Sequence, residues 1–300
     1  MGVGASLIYA PACYAATPEL IGLAAVAGRH DGLYIAHLRS EGATFLEALE
    51  EHVRIAREGN VRAEVYHLKA AGRSYWHKLD AAIARIEAVR SEGVRLTADM
   101  YTYEAGSTGL DAAMPPWVQE GGHRAWVARL RTPEIRARVV AEMQAPASGW
   151  ENLFYETGAD GMLLGSFQTT RLQPLAGRTL ADVARERGTS PAETAIDLVI
   201  EDDTRVGTIY FMMDQANVRR QMALPWVSFG SDSPSVAPDG PYRTKHLHPR
   251  AYGTFARVLG KYARDEKALS LPEAVRRLSA LPAANLGLRD RGRLTPGMYA

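Results

Sequence analysis

From residue 33 onward, short apolar runs rich in β-branched and aromatic residues alternate with longer stretches whose apolar positions recur every three or four residues. The first kind predicts strands at Leu33–His37, Ala63–His67 and Val94–Met100; the second predicts helices between them. Thr44 to Glu58 places Leu46, Leu49, Val53 and Ala56 on one helical face and stops at Gly59. Lys78 to Glu92 does the same with Leu79, Ile83, Ile86 and Val89 before Gly93. Strand, helix, strand, helix, strand is the rhythm of a parallel α/β sheet built from right-handed βαβ units.

The rhythm breaks between Leu110 and about Gly188. Helical pieces such as Thr132 to Met143 and a turn-rich stretch from Ala145 to Gly161 replace it, which reads as a long insertion after one strand. It resumes at Ser190-Pro191-Ala192-Glu193, a capping box with proline at the first helical position, followed by strands at Val206–Met212 and Trp226–Phe229 around a short helix at Asn217 to Ala223. Beyond Asp232 the pattern is helical, with a second capping box at Ser270-Leu271-Pro272-Glu273. The expected division is therefore 1–109 as barrel part, 110–189 as insertion or lid, and 190–300 as the remaining strands with the Asp232 loop and terminal helices. About five strands are legible where a closed (β/α)8 barrel needs eight, so the expected α/β fold is an incomplete TIM barrel.

Three polar residues close strand-like runs: His37, His67 and Asp232. Imidazole is the commonest neutral ligand for a divalent transition metal, and a nearby carboxylate can bind a second ion or take a proton from activated water. In a parallel barrel such side chains belong at the C-terminal strand ends, where they share one mouth. A lone histidine in this setting is more often a structural residue; two, with an aspartate in the same setting, point to a site.

Bulk properties narrow the partners. Lys and Arg number 35 against 34 Asp and Glu, a net charge of +1 with neither a basic stripe nor an acidic tail, so nothing electrostatic calls for nucleic acid or anionic lipid, and a small molecule is the expected partner. The single cysteine, Cys13, excludes an internal disulfide and suits a reducing compartment; no apolar run is long enough to span a bilayer, and the cytoplasm is the expected location.

The motifs together resemble the N-acyl-D-amino-acid deacylases (D-aminoacylases) of the amidohydrolase superfamily. The matching segments run in order: Leu7-Ile8-Tyr9-Ala10-Pro11, Ala36-His37-Leu38-Arg39-Ser40-Glu41, His67-Leu68-Lys69, Asp99-Met100-Tyr101-Thr102-Tyr103, Gly230-Ser231-Asp232, His248-Pro249-Arg250, Gly253-Thr254-Phe255 and Arg291 to Gly297. The resemblance implies zinc-dependent hydrolysis of an N-acyl-D-amino acid to the free amino acid and a carboxylate. It implies that His37 and His67 ligate one or two zinc ions, that Asp232 is the general acid/base, and that Lys69, Tyr101, Ser107 and Arg250 hold the substrate's α-carboxylate. Taken alone, Lys69 and Arg250 read better as solvated charges, Tyr101 as a core aromatic and Ser107 as a loop residue. Cys13 lies outside the family's ligand motif and reads as a plain buried or loop cysteine; His248, which forms a superficial His-x-His with His246, reads as a structural or substrate-side residue.

A complete member would carry, before position 1, further strands with a His-x-His pair and a ligating cysteine, and after position 300 more of a small β domain. The expectation for these 300 residues is thus an incomplete zinc site, weak activity and self-association through an open sheet edge. The alternatives are a cyclic amidase of the dihydroorotase or hydantoinase kind and a non-catalytic truncated fragment.

Overall fold

The computed structural model describes residues 2–147, 149–237, 239–240 and 247–299. Strands β1 (Gly2–Ser6), β2 (Leu33–His37), β3 (Arg62–Val65) and β4 (Leu96–Met100) are joined by helices α1 (Thr17–Arg29), α2 (Phe45–Glu58) and α3 (Leu79–Ser91). After β4 the chain leaves the sheet. It passes through β5 (Gly106–Gly109), α4 (His123–Leu130), α5 (Pro133–Met143), α6 (Leu153–Thr157), β6 (Met162–Ser166), α7 (Leu180–Arg187), α8 (Pro191–Asp202), β7 (Gly207–Tyr210) and α9 (Gln215–Met222). It returns as β8 (Val227–Phe229), then continues through α10 (Arg250–Arg257), a π-helical stretch (Val258–Asp265), α11 (Leu271–Leu278) and α12 (Ala280–Asn285).

The main sheet has the order β1-β2-β3-β4-β8, parallel at every pairing, with Leu33 opposite Gly2, Ala63 opposite Tyr34, Ala98 opposite Val65 and Val227 opposite Ala98. Among the described residues β1 pairs with β2 alone and β8 with β4 alone, leaving both edges of the sheet open. The second sheet, β5-β7-β6, is antiparallel throughout.

The helices form where the apolar spacing demands. In α2, Phe45, Ala48, Leu49, His52, Val53 and Ala56 are buried on the face turned to the sheet. Burying a leucine such as Leu49 fully is worth about 1.5–3 kcal/mol. In α8 the Ser190 hydroxyl accepts the Glu193 N–H at 3.2 Å with Pro191 in the first turn, and in α11 the Ser270 hydroxyl accepts that of Glu273 at 3.4 Å. His52 is a misfit in its own helix: among the described residues neither ring nitrogen finds a partner, nor does the neighbouring Tyr34 hydroxyl, and burial pushes the His52 imidazole down to about 4.

Two separate hydrophobic cores result. One gathers the parallel sheet and its helices, including Leu49, Val65, Ile86, Ala98, Val227 and Val258. The other gathers the insertion, including Leu110, Trp126, Leu130, Leu164, Ile196, Val199 and Tyr210. No helix among the described residues is long and apolar enough to cross a membrane.

The architecture corrects the expected boundaries. The strand expected at Val206–Met212 does not enter the barrel; β7 pairs with β5 and β6, and α8 packs with it in the insertion core. An amphipathic helix followed by a short apolar strand reads the same whether that strand finds a parallel or an antiparallel neighbour. Conversely β1 was not expected at all, because Gly-Val-Gly-Ala-Ser has few bulky β-formers and its exposure alternates only between partial and full. The insertion core thus reaches Met213, beyond the expected 110–189, and α9 rejoins the core of the main sheet through Val218 and Met222.

Candidate active site

Every chemically expected residue of the parallel sheet sits at or just past the C-terminal end of a strand. His37 is the last residue of β2. Its Nδ1 lies 2.9 Å from the Leu38 carbonyl oxygen, which can only accept; Nδ1 therefore carries the proton and Nε2 keeps a free lone pair. His67 lies two residues past β3, with φ of 35°, and its backbone N–H donates to Asp99 Oδ1 at 2.7 Å. That left-handed turn carries its ring next to His37, with centroids 4.6 Å apart.

Between the two rings lies Glu41, one helical turn's distance in sequence from His37. Its Oε2 is 3.5 Å from His37 Nε2 and its Oε1 is 3.1 Å from His67 Nδ1. Lys69 Nζ donates to Glu41 Oε1 and to His67 Nδ1, each at 2.6 Å, and to the His67 carbonyl at 3.1 Å. All four side chains are buried. Burial works against charge on Glu41, but the basic groups beside it, His37 and Lys69 ahead of His67, hold its carboxyl well below the usual range. Burial and then the Lys69 ammonium push the His67 imidazole down to about 4, so it is neutral, the form that donates a lone pair. Burial, followed by Glu64, pushes Asp99 up to about 7.

Asp232, three residues past β8, also has a left-handed backbone, with φ of 46°. Its Oδ2 accepts from Arg250 Nη1 at 2.7 Å. Arg250 opens α10, and its guanidinium lies 4.5 Å from the Tyr101 ring centroid. His248 fixes that helix start: Nε2 donates to the Ala105 carbonyl at 2.8 Å and Nδ1 accepts the Arg250 N–H at 2.9 Å, so both its nitrogens are engaged structurally. His246 lies outside the described residues.

His37, His67, Lys69, Tyr101, Ser107, Asp232 and Arg250 all line one cavity of about 1070 Å³, roofed by the insertion through Thr108, Met114, Trp126, Glu151 and Arg205. The buried Tyr101 hydroxyl has no partner among the described residues, which leaves one donor free for a ligand. Cys13 lines the same cavity, half-buried.

Sequence reasoning assigned no role to Glu41 or Glu151. Glu41 stood in a quoted motif, and its spacing of four from His37 was the available signal. Glu151 lies in the turn-rich stretch, where periodicity carries no information. Its Oε1 accepts from the Ser40 hydroxyl at 3.0 Å, from the Gly42 N–H at 2.9 Å and from the Glu41 N–H. Burial and the nearby Glu41 raise its carboxyl.

Known proteins resemble this chain along its whole length. No family model matches the chain. A D-aminoacylase of Alcaligenes xylosoxydans xylosoxydans is 32% identical over 303 residues, covering 100% of this chain and 50% of that protein. The chain is a relative of the D-aminoacylases. The solved N-acyl-D-glutamate deacylase of Bordetella bronchiseptica, complexed with zinc and a phosphonate inhibitor, superposes with a TM-score of 0.74 at 29% identity, over 98% of this chain and 51% of that one. A solved D-aminoacylase described by its binuclear metal center superposes equally well, at 0.74 and 31% identity, over 100% of this chain and 51% of that one. The chain thus spans about half the length of the D-aminoacylases it matches, and its parallel sheet with flanking helices is part of their TIM-barrel type of fold.

Proposed function

We propose that this chain carries the catalytic face of a zinc-dependent hydrolase of linear N-acyl-D-amino acids. The observation that carries the reading is the convergence, in one cavity, of two buried imidazoles and two carboxylates with cationic and hydroxyl donors. The donor set fits the metal: His37, Glu41 and His67 each offer a ligand atom, all within 4.8 Å of one another, two nitrogens and one charged oxygen of the kinds zinc takes. Bound there, zinc would supply Lewis acidity, polarising the scissile carbonyl and making a water acidic enough to attack near neutral pH. Asp232 takes the proton of the attacking water and passes it to the leaving amine, its carboxylate oriented by Arg250. Lys69 and Arg250 supply charge, and the Tyr101 and Ser107 hydroxyls supply further donors, for the substrate's α-carboxylate. The even charge balance and lone cysteine support a small-molecule substrate and a cytoplasmic setting, and the open edges of the main sheet support self-association, which sedimentation at two concentrations would reveal.

The test is release of free D-amino acid from N-acetyl-D-amino acids by zinc-loaded protein, resolved by chiral chromatography, beside the L-enantiomers and a cyclic ureide. The expected result is a zinc-dependent D-product above the metal-free blank. Turnover of the cyclic ureide in its place would overturn the reading.

A further inference from the structure

We infer that Glu151, a residue of the insertion, is the positioning residue for the Glu41 loop and through it for the His37, Glu41 and His67 set. The inference rests on the metal-dependent reading above.

Residues 38–44 form neither helix nor strand, so their backbone N–H groups need partners from elsewhere. One carboxylate oxygen of Glu151 meets that need at consecutive positions: the Ser40 hydroxyl, the Glu41 N–H and the Gly42 N–H all donate to it. The other side of the loop is tied by the Ala71 N–H, which donates to the Glu41 carbonyl at 2.8 Å. With its backbone held at both ends, the Glu41 side chain has one way to point, between the two imidazoles.

Glu151 itself stands on a fixed platform. The next residue, Asn152, is buried; its amide donates to the carbonyls of Glu142 at 3.1 Å, Met143 at 2.9 Å and Ala145 at 3.0 Å, while its Oδ1 accepts the Tyr155 N–H at 3.1 Å. It thereby closes the end of α5 and opens α6, and the Glu151 backbone between them has little freedom. Placing a second, half-buried carboxylate beside Glu41 is electrostatically unfavourable, so general adhesion between the two regions is a poor account of it. A neutral acceptor would hold the regions together without that repulsion. What Glu151 provides is an acceptor with the reach to gather three donors.

The test compares Glu151→Gln, which keeps the reach and an acceptor oxygen but loses the charge, with Glu151→Asp, which keeps the charge but is one methylene short. Zinc affinity is measured by chelator competition, and exchange of the Glu41 and Gly42 amide hydrogens by NMR. The glutamine variant is expected to bind zinc within about threefold of the unmodified chain with both amides protected. The aspartate variant is expected to lose about tenfold or more, on the scale of outer-sphere partners of metal ligands, and to expose both amides. Aspartate retaining affinity while glutamine loses it would show that charge matters and position does not; unchanged affinity in both would remove Glu151 from the site. Either result overturns the inference while leaving the metal-dependent reading intact. Failure of the unmodified chain to take up zinc overturns that reading and the inference with it.

Discussion

In the parallel sheet, four of the five strands lie beside their sequence neighbours, one βα unit apart, and the core under them is made of helix faces that repeat the same contact. In the insertion, β7, from near the end of a long excursion, lies between β5 from its start and β6 from its middle, and short helices and turns fill the rest of the core. Polar contacts that join the two regions include Glu151 with residues 40–42, the Tyr9 hydroxyl donating to the Thr108 hydroxyl at 3.0 Å, the Ser74 N–H donating to Glu156 at 3.0 Å, and the Met212 carbonyl, which accepts from the Gly72 N–H and the Trp76 ring N–H, each at 2.8 Å. The difference separates two tasks. The regular region holds reactive groups at strand ends, where neighbouring backbones fix them; the irregular one covers the cavity and adjusts what lies beneath.

The largest expected effect tests whether the chemistry belongs to the sheet alone. His37→Ala or His67→Ala should weaken zinc binding by more than about 100-fold, since loss of even an outer partner costs about 10–100-fold, while Thr179→Ala, which removes the hydroxyl that accepts the Asp182 N–H at the start of α7 in the insertion, should destabilise without removing zinc; equilibrium dialysis with metal analysis reads both. Equal zinc loss in all three would erase the division of labour. Next, Leu49→Ala and Leu130→Ala each empty one fully buried leucine site, one per core, and each should cost about 2–5 kcal/mol. If the cores are distinct units, calorimetry should show each variant lowering a different part of the unfolding profile; identical shifts of one transition would join them.

The third sharpens the picture on the sheet side through pH. His52 titrates at about 4 in the folded chain against about 6.5 in the unfolded one, so the unfolded state binds more protons between those values. Its contribution is fully present above pH 6.5 and falls as pH drops towards 4, by about 3 kcal/mol. His52→Leu should flatten that part of the stability profile in denaturant titrations; an unaltered profile would locate the acid sensitivity elsewhere. Smallest, Ser190→Ala in the insertion and Ser270→Ala in the outer helices should each cost about 1 kcal/mol. A cap is a local device, and unequal losses by thermal melts would show that surroundings override it.

The same contrast governs what the sequence reveals. Leu33–His37 is legible because a strand buried on both faces must be a continuous apolar run, and the helix after it and the helix at Leu79–Ser91 because each buries one face, a requirement written into the spacing of apolar residues. His37, His67 and Asp232 could be named in advance because they close strand-like runs, and Lys69, Tyr101, Ser107 and Arg250 because of the motif resemblance; all seven line one cavity. Glu151 could not be named, since its importance depends on a loop shape that no periodicity encodes. The destination of β7 was equally hidden: Gly207–Tyr210 is short enough that pairing is decided by the distant partners Ser107 and Leu163, opposite Ile209.

His67 and Asp232 hold positive-φ backbone conformations that a Cβ opposes and glycine adopts freely, at a cost of order 1 kcal/mol each. Directed evolution for heat resistance would therefore find glycine at these two positions rewarding. A library screened only for melting temperature would drift towards a sturdier protein with its imidazole and its carboxylate gone. The two backbone angles thus mark where selection for durability and selection for chemistry part company.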